Sequence, residues 1–503
     1  MLMYLGYLRQ RDLSIWEVLY MLGQEVLAYL DGVSRGLFIP RRLIPEADIQ
    51  DARQNTTPIQ KFQNESSPMQ PTVDPVTGYI PKISMPERPL RLCLLSSMYP
   101  PTGYEGVARL THLMAKGLFE LGHSVHVVTL GEKEDVAFYD GAFVHHIPLT
   151  TKRYLRYRHM HNLFSTLNHS HNIYNKVKRL ILNDGIELVD SALWQYEGLV
   201  TLKSGLLPVV VRLVTAMKQI SEIQQSRTEE FALMGDLERS FLEAATHLLP
   251  NTQATLDAVR DVYRLEGTLD DRCTIVPYGI VPASEDQVRP FDPQHIPEPL
   301  TVLYVGRLEK RKGTLDLFAA IPIVLKQFPQ ARFIITGADN SKSDGFNQKT
   351  GTDYPSYFAS RYPDCTSKVA FTGMVSDELL QELYRSCDLF VAPSLYESFG
   401  LIYLEAMNYA KPVIGCRAGG IPEVVDHGTT GLLVDPESPK ALAEAIVSML
   451  RSPERLREMG LAGRARILEQ FNYLKMAQNY ARVYRQIINS YKPPSDPDSD
   501  KIG

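Results

Sequence analysis

The chain has 503 residues, 44% of them hydrophobic and 22% charged, with a formal net charge of −5. That length exceeds one ordinary core and suits two or three domains, and the balance is that of a globular protein. The slight acidity gives a nucleic-acid role no electrostatic support. The five cysteines are scattered without CxxC or metal-ligand spacing, which points to a reducing compartment, and the cytoplasm is the expectation. No uncharged apolar run reaches the roughly 20 residues that span a bilayer, and the N-terminus lacks a secretion signal pattern.

Residues 1–36 read as an apolar helical extension, with Leu13, Trp16, Leu19, Leu22, Val26 and Leu30 at helical spacings. They suit a helical hairpin packed on the body of the protein or on a second copy of the chain. A membrane-surface helix is the alternative, but Glu17, Glu25 and Asp31 do not favour anionic lipid. Residues 37–88 form a Pro-rich linker, and 493–503 read as a disordered tail.

Between them, strand and helix alternate. Leu92–Leu95, Val125–Val128, Leu188–Val189 and Val209–Val211 are short apolar runs of the kind buried in parallel sheets. A second series runs Val302–Val305, Phe333–Ile335, Val369–Phe371, Leu389–Val391, Val413–Ile414 and Leu432–Val434, with helices expected at Ala108–Leu121, Leu315–Phe328, Asp377–Ser386 and Pro439–Arg451. This alternation implies an α/β protein with two Rossmann-like, doubly wound parallel-sheet domains, over 89–285 and 298–470, facing across a cleft. Ligands then bind at the carboxyl ends of the strands.

Three segments carry the chemistry. In Pro393-Ser394-Leu395-Tyr396-Glu397-Ser398-Phe399-Gly400-Leu401, a strand gives way to a loop and then to a fresh helix N-terminus, whose unpaired N–H groups suit phosphate. Glu397 and Glu405 are spaced to grip hydroxyls at opposite ends of one nucleotide sugar. Either alone reads as a cap or an ordinary helix residue. In Gly306-Arg307-Leu308-Glu309-Lys310-Arg311-Lys312-Gly313, directly after a strand, Arg307 and Lys312 can hold a diphosphate and neutralise charge developing on it. A solvated basic turn is the ordinary alternative, since Lys310 and Arg311 sit there too. The glycines of Gly415-Cys416-Arg417-Ala418-Gly419-Gly420-Ile421-Pro422-Glu423 would let backbone approach a ligand.

Taken in chain order, Gly306–Gly313, then Phe371-Thr372-Gly373, then Pro393–Met407, then Gly419–Val425, then G-x-T-G-L-L-V, the motifs over 300–436 resemble those of the retaining glycosyltransferases with the two-Rossmann GT-B fold, family 4 or group 1. The resemblance covers about 90–490. It implies that Arg307 and Lys312 bind the pyrophosphate of a nucleotide-sugar donor, UDP- before GDP-, that Glu397 touches the donor sugar, and that Glu405 holds the ribose. It also implies that Gly306, Ser398, Phe399, Gly400 and Leu401 contact the donor, that the base lies by Met374 and Val375, and that the helix in 471–492 crosses back to the N-terminal domain. A hexosyl group would pass to a glycan, lipid-linked or small-molecule hydroxyl by front-face substitution, with no metal and no cofactor beyond the donor. A catalytically silent nucleotide-sugar or glycan binder is the alternative. An epimerase would need acid–base groups on the N-terminal domain that are missing here.

Two places depart from the family pattern. The N-terminal glycine loop carries Gly103 and Gly106, but Glu105 stands where a further glycine is usual. The histidine often found near the donor sugar is missing, with Val214 in one of the equivalent stretches. This leaves Trp194, Gln195, Arg212 and Thr215 as candidates to line the sugar or acceptor wall. A basic, His-rich run between Lys152 and Arg179 suits an anionic acceptor or a membrane surface, with a solvated helix face as the alternative.

Overall fold

The computed structural model describes residues 88–493 except 102, 104–105, 151–152, 220–227 and 266–268. The expected helical extension, the linker, nearly all of the tail and Glu105 therefore lie outside the described residues.

The N-terminal domain is built on a seven-stranded sheet of order β3-β4-β2-β1-β5-β6-β7. Its strands are β1 (Arg91–Leu95), β2 (Ser124–Leu130), β3 (Asp135–Tyr139), β4 (Ala142–Ile147), β5 (Leu188–Ala192), β6 (Val209–Arg212) and β7 (His247–Leu249). All pairs are parallel except β3 with β4. The central strands are apolar on both faces because helices cover both: every residue of β5 and β6 is buried. At the edge, β3 and β4 form a hairpin turning at Asp140 and Gly141, both with positive φ, as a two-residue Asp-Gly turn demands.

The C-terminal domain has a six-stranded, wholly parallel sheet of order β10-β9-β8-β11-β12-β13. Its strands are β8 (Thr301–Val305), β9 (Arg332–Thr336), β10 (Val369–Gly373), β11 (Leu389–Val391), β12 (Val413–Cys416) and β13 (Gly431–Val434). Every strand expected from the apolar runs is present; the β3–β4 hairpin and β7 are additional.

Four helices position the site: α1 (Val107–Glu120), α2 (Gln253–Tyr263), α3 (Leu401–Asn408) and α4 (Tyr473–Ser490). Helix α4 follows the C-terminal domain in sequence but packs on the N-terminal one. Its Tyr484 hydroxyl donates to Asp190 Oδ2 at 2.6 Å and its Tyr473 hydroxyl to Glu120 Oε2 at 2.7 Å. Gly117 of α1 admits it closely, since a β-carbon there would lie 2.7 Å from that of Ala477. The two chain crossings run side by side, with Ile280 N–H bonded to Phe471 O and Tyr473 N–H to Ile280 O. One apolar core is continuous from Leu92 and Leu94 through Phe399 and Tyr403 to Tyr480.

Candidate active site

The carboxyl ends of β8 and β11 bring the two principal motifs together. After β8, a tight turn over Lys310–Lys312 ends at Gly313, whose φ is 66°. A β-carbon on Gly313 would stand 1.9 Å from the Pro393 carbonyl, so only glycine lets this turn lie against the loop that follows β11. Leu395 N–H bonds to Arg311 O at 2.8 Å and locks the two loops in register. As a result Lys312 Nζ lies 2.5 Å from Glu397 Oε1, and Arg311 Nη1 lies 3.5 Å from Glu397 Oε2. Burial alone would raise the Glu397 carboxyl, but the two cations outweigh it and hold the pKa below the usual carboxylate range.

Arg307, 57% exposed, has Nη2 3.5 Å from Glu309 Oε1, and its carbonyl accepts from the Tyr304 hydroxyl at 3.1 Å. Glu309 is buried and organises the turn: it accepts from Arg311 at 2.9 Å and from Asn340 at 2.8 Å. The solvated-turn reading therefore fits Lys310, which is exposed, and not Arg311, which also donates to the Tyr396 carbonyl at 3.0 Å. Sequence reasoning passed over Glu309 and Arg311 because a charged turn looks alike whether it faces water or an adjacent loop.

Glu397 and Ser398 lie in the loop, Gly400 takes a φ of 96°, and α3 begins at Leu401. Phe399 turns its ring inward onto Tyr278 and Phe471, leaving only its backbone near the cleft. Glu405, the fifth residue of α3, accepts from the Tyr384 hydroxyl at 2.8 Å and from Arg109 Nη1 of the opposite domain at 2.5 Å. Burial and the Glu405 charge push the Tyr384 phenol far above its ordinary range, so it stays a donor. No local pattern could have announced Arg109, which is 296 positions from its partner.

The third glycine segment serves packing. Gly420 N–H bonds to Glu397 O, a β-carbon on Gly419 would meet that same carbonyl, and one on Gly420 would meet Ser398 O. These glycines bring backbone close to the Glu397 loop, not to an open ligand space. Glu423 reaches across the domains to accept from Gln253 N–H and Ala254 N–H at the start of α2, and the Thr252 and Thr255 hydroxyls donate to Ser398 O.

The other expected residues divide. Gly306 follows β8, its N–H bonded to Thr336 O. Met374, 79% exposed, and the half-buried Val375 stand after β10 at the sheet edge. Gly103 packs on Met98, while a β-carbon on Gly106, whose φ is 45°, would meet no atom of the described residues within 4 Å just before α1. Trp194 is 40% exposed at the end of β5, and Gln195, Val214 and Thr215 are half-buried. Arg212 corrects its expectation: it is wholly buried, with Nε 2.5 Å from Asp190 Oδ1 and Nη2 donating to Thr111, so it supports the wall from behind.

The basic run is corrected as well. His169, His171 and Lys176 are buried, and Lys176 and Arg179 converge on Glu134, so the run does not form one exposed cationic face. Among the described residues, no helix is long and apolar enough to cross a membrane, and no three His, Cys, Asp or Glu side chains group as metal ligands.

Comparison with known proteins agrees with this arrangement. Residues 104–284 match the model of Glycosyltransferase Family 4, and residues 287–466 match that of Glycosyl transferases group 1. The alpha-maltose-1-phosphate synthase of Mycolicibacterium smegmatis is 28% identical over 79% of this chain and all of its own length. The glycogen synthase of Mycobacterium tuberculosis is 32% identical, over 37% of this chain and 42% of its own. Among solved structures, the sucrose-phosphate synthase of Thermosynechococcus elongatus aligns at a TM-score of 0.60 and 23% identity, over 80% of this chain and all of that one. Anabaena HepE, in complex with UDP and glucose, aligns at 0.57 and 18% identity, over 79% of this chain and all of its own, a likeness of fold alone. With both halves matched in order, on two parallel-sheet domains facing across a cleft, the chain belongs to the group 1, family 4 glycosyltransferases of GT-B fold.

Proposed function

We propose that the cleft transfers a hexosyl group, with retention of configuration, from a UDP-sugar to an acceptor hydroxyl. The observation that carries this reading is the cationic turn after β8. There Lys312 is held on Glu397 while the Arg307 side chain, 57% exposed, keeps only a long 3.5 Å contact to Glu309 among the ion pairs of the described residues. A donor diphosphate fits between Arg307, Lys312 and the N-terminus of α3, with Glu405 on the ribose hydroxyls. The bond from the sugar's anomeric carbon to the diphosphate oxygen breaks, and the acceptor oxygen bonds to the same carbon from the same face. The acceptor's proton passes to the departing diphosphate. The protein's part is positioning and stabilisation of the charge on the leaving group, for which its cations serve without a metal.

UDP is favoured over GDP because HepE, of the same fold, has been solved with UDP and with UDP-glucose. Relatives named for alpha-maltose-1-phosphate synthesis and for D-inositol 3-phosphate glycosyl transfer make a phosphorylated sugar or polyol the acceptor to test first. Glycan and lipid-linked hydroxyls follow.

The test is thermal stabilisation by UDP-, GDP-, ADP- and TDP-sugars without added metal. A ligand at about 100 times its dissociation constant adds roughly 2.7 kcal/mol. A shift specific to one base, abolished by Arg307→Ala with Lys312→Ala and by Glu405→Ala but retained in Lys310→Ala, supports the reading. No shift with any donor overturns it in favour of a catalytically silent relative that binds glycan and not nucleotide sugar.

A further inference from the structure

Resting on the donor reading above, we infer that Arg109 is a donor-displaced latch: it pairs with the carboxylate that reading assigns to the ribose and sets nucleotide affinity by having to leave. Both oxygens of Glu405 are engaged, Oε1 by Arg109 Nη1 and Oε2 by the Tyr384 hydroxyl. A ribose diol presents two hydroxyl donors and needs both oxygens of a carboxylate to hold them together. One partner must give way or turn aside, and the surroundings decide which. Tyr384 is 2% exposed, belongs to the same domain, and is packed between the Phe390 and Tyr409 rings. The Arg109 side chain is 34% exposed and comes from the third position of α1, across the cleft. It is the partner able to move.

The exchange is uphill for the nucleotide at this point. A guanidinium bonded to a carboxylate forms a charge-assisted bond roughly twice as strong as a neutral one. The ribose hydroxyls replace it with bonds to an anion from uncharged donors, so the apparent affinity is lowered by the fraction of molecules in which the latch is already open. Because the latch joins the two domains, donor binding also removes one of the polar ties between them. Occupancy of the donor site and freedom of the domains to move are thereby coupled.

Calorimetric titration with UDP tests this on the full chain. Arg109→Met removes the competing cation and keeps most of the side chain's length, and it should bind UDP at least about fivefold tighter than wild type, the lower end of ordinary coupling between sites. The gap should narrow as salt rises and screens the pair, a trend that loss of packing alone would not produce. Should Arg109→Met fail to fold, Arg109→Lys, which keeps the charge but loses the planar fork, must still bind UDP more tightly than wild type. Equal or weaker UDP binding by the folded variant overturns the latch while leaving the donor reading intact. A wild type that binds no nucleoside diphosphate removes both.

Discussion

Replacing Lys312 by Met isolates the electrostatic heart of the site. The Lys312 and Glu397 side chains are 14% and 12% exposed, so the pair is largely withdrawn from water. Removing one member of such a pair strands the other, at about 3–5 kcal/mol when burial is complete. Here Arg311 remains 3.5 Å from Glu397 Oε2 and offsets part of that, which brings the expected loss to about 2–3 kcal/mol at pH 7. Glu397→Gln should cost a similar amount, and the double variant less than the sum, with a coupling of about 1–2 kcal/mol. The pH dependence follows from the lowered Glu397 pKa. A carboxyl depressed on folding contributes stability that is present above its unfolded pKa and is lost as pH falls through the folded value. Wild type and Lys312→Met should therefore converge in acid. Urea unfolding of the four proteins at pH 7 and at acid pH measures each quantity. A Lys312→Met cost under about 0.5 kcal/mol, or strictly additive single variants, would refute the argument that this is a desolvated, mutually dependent pair.

Three further outcomes are expected. Gly313→Ala and Gly428→Ala both place a side chain at positive φ, costing about 1–2 kcal/mol, but only the Gly313 β-carbon meets backbone, at Pro393 O. Gly313→Ala should thus lose more stability than Gly428→Ala and should also lose UDP affinity; equal melting temperatures and affinities would count against the loop-on-loop account. His123 is buried with its Nδ1 accepting from Leu90 N–H, and burial, with Arg485 nearby, lowers its pKa to about 4. Being depressed from about 6.5, it stays neutral in the fold while the unfolded chain takes up protons, so it should remove about 3 kcal/mol as pH falls from 6.5 to about 4. His123→Asn should flatten that part of the stability curve, and an unchanged slope would assign the acid sensitivity elsewhere. Trp194→Ala should slow transfer to an acceptor and spare donor hydrolysis, because the ring is 40% exposed on the N-terminal domain, after β5, whereas the proposed donor contacts follow β8 and β11; a parallel loss of both rates would move Trp194 to the donor side.

Much of the fold was legible because strands buried on both faces read as unbroken apolar runs, as at Val209–Val211 and Leu389–Val391. The β3–β4 hairpin escaped the sequence reading although Asp140-Gly141 marks its turn, because β3 is largely exposed and its alternation is weak. β7 is three residues long and too short to register. At the site, the pairing of two motif loops followed from both standing at strand carboxyl ends. Which charges face inward did not. Arg212 and Lys176 read as surface cations until the sheet and helices around them are in place, because burial of a charge depends on a partner brought from elsewhere: Asp190 for one, Glu134 for the other. Arg109 is the extreme case, since its partner lies in the other domain.

The contacts across the cleft differ in how readily they can part, and that difference bears on how such an enzyme admits its substrates. The packing of α4 on α1 and the paired crossings at Ile280 and Asn472–Tyr473 are apolar or backbone-bonded, and they stay with any motion that pivots about them. The buried Thr252 and Thr255 hydroxyls and the Glu423 carboxylate, which accepts from two N–H groups, instead join the domains through polar side chains, and parting them exchanges these bonds for bonds to water. Thr252 and Thr255 hold the carbonyl of Ser398, the residue next to Glu397, so a rotation that opens the cleft pulls on the very loop that carries the Lys312–Glu397 pair. Opening and distortion of the Glu397 loop are then one event. The contacts of α2 are thereby part of what shapes the Lys312–Glu397 pair, although no residue of α2 touches that pair through a described ion pair.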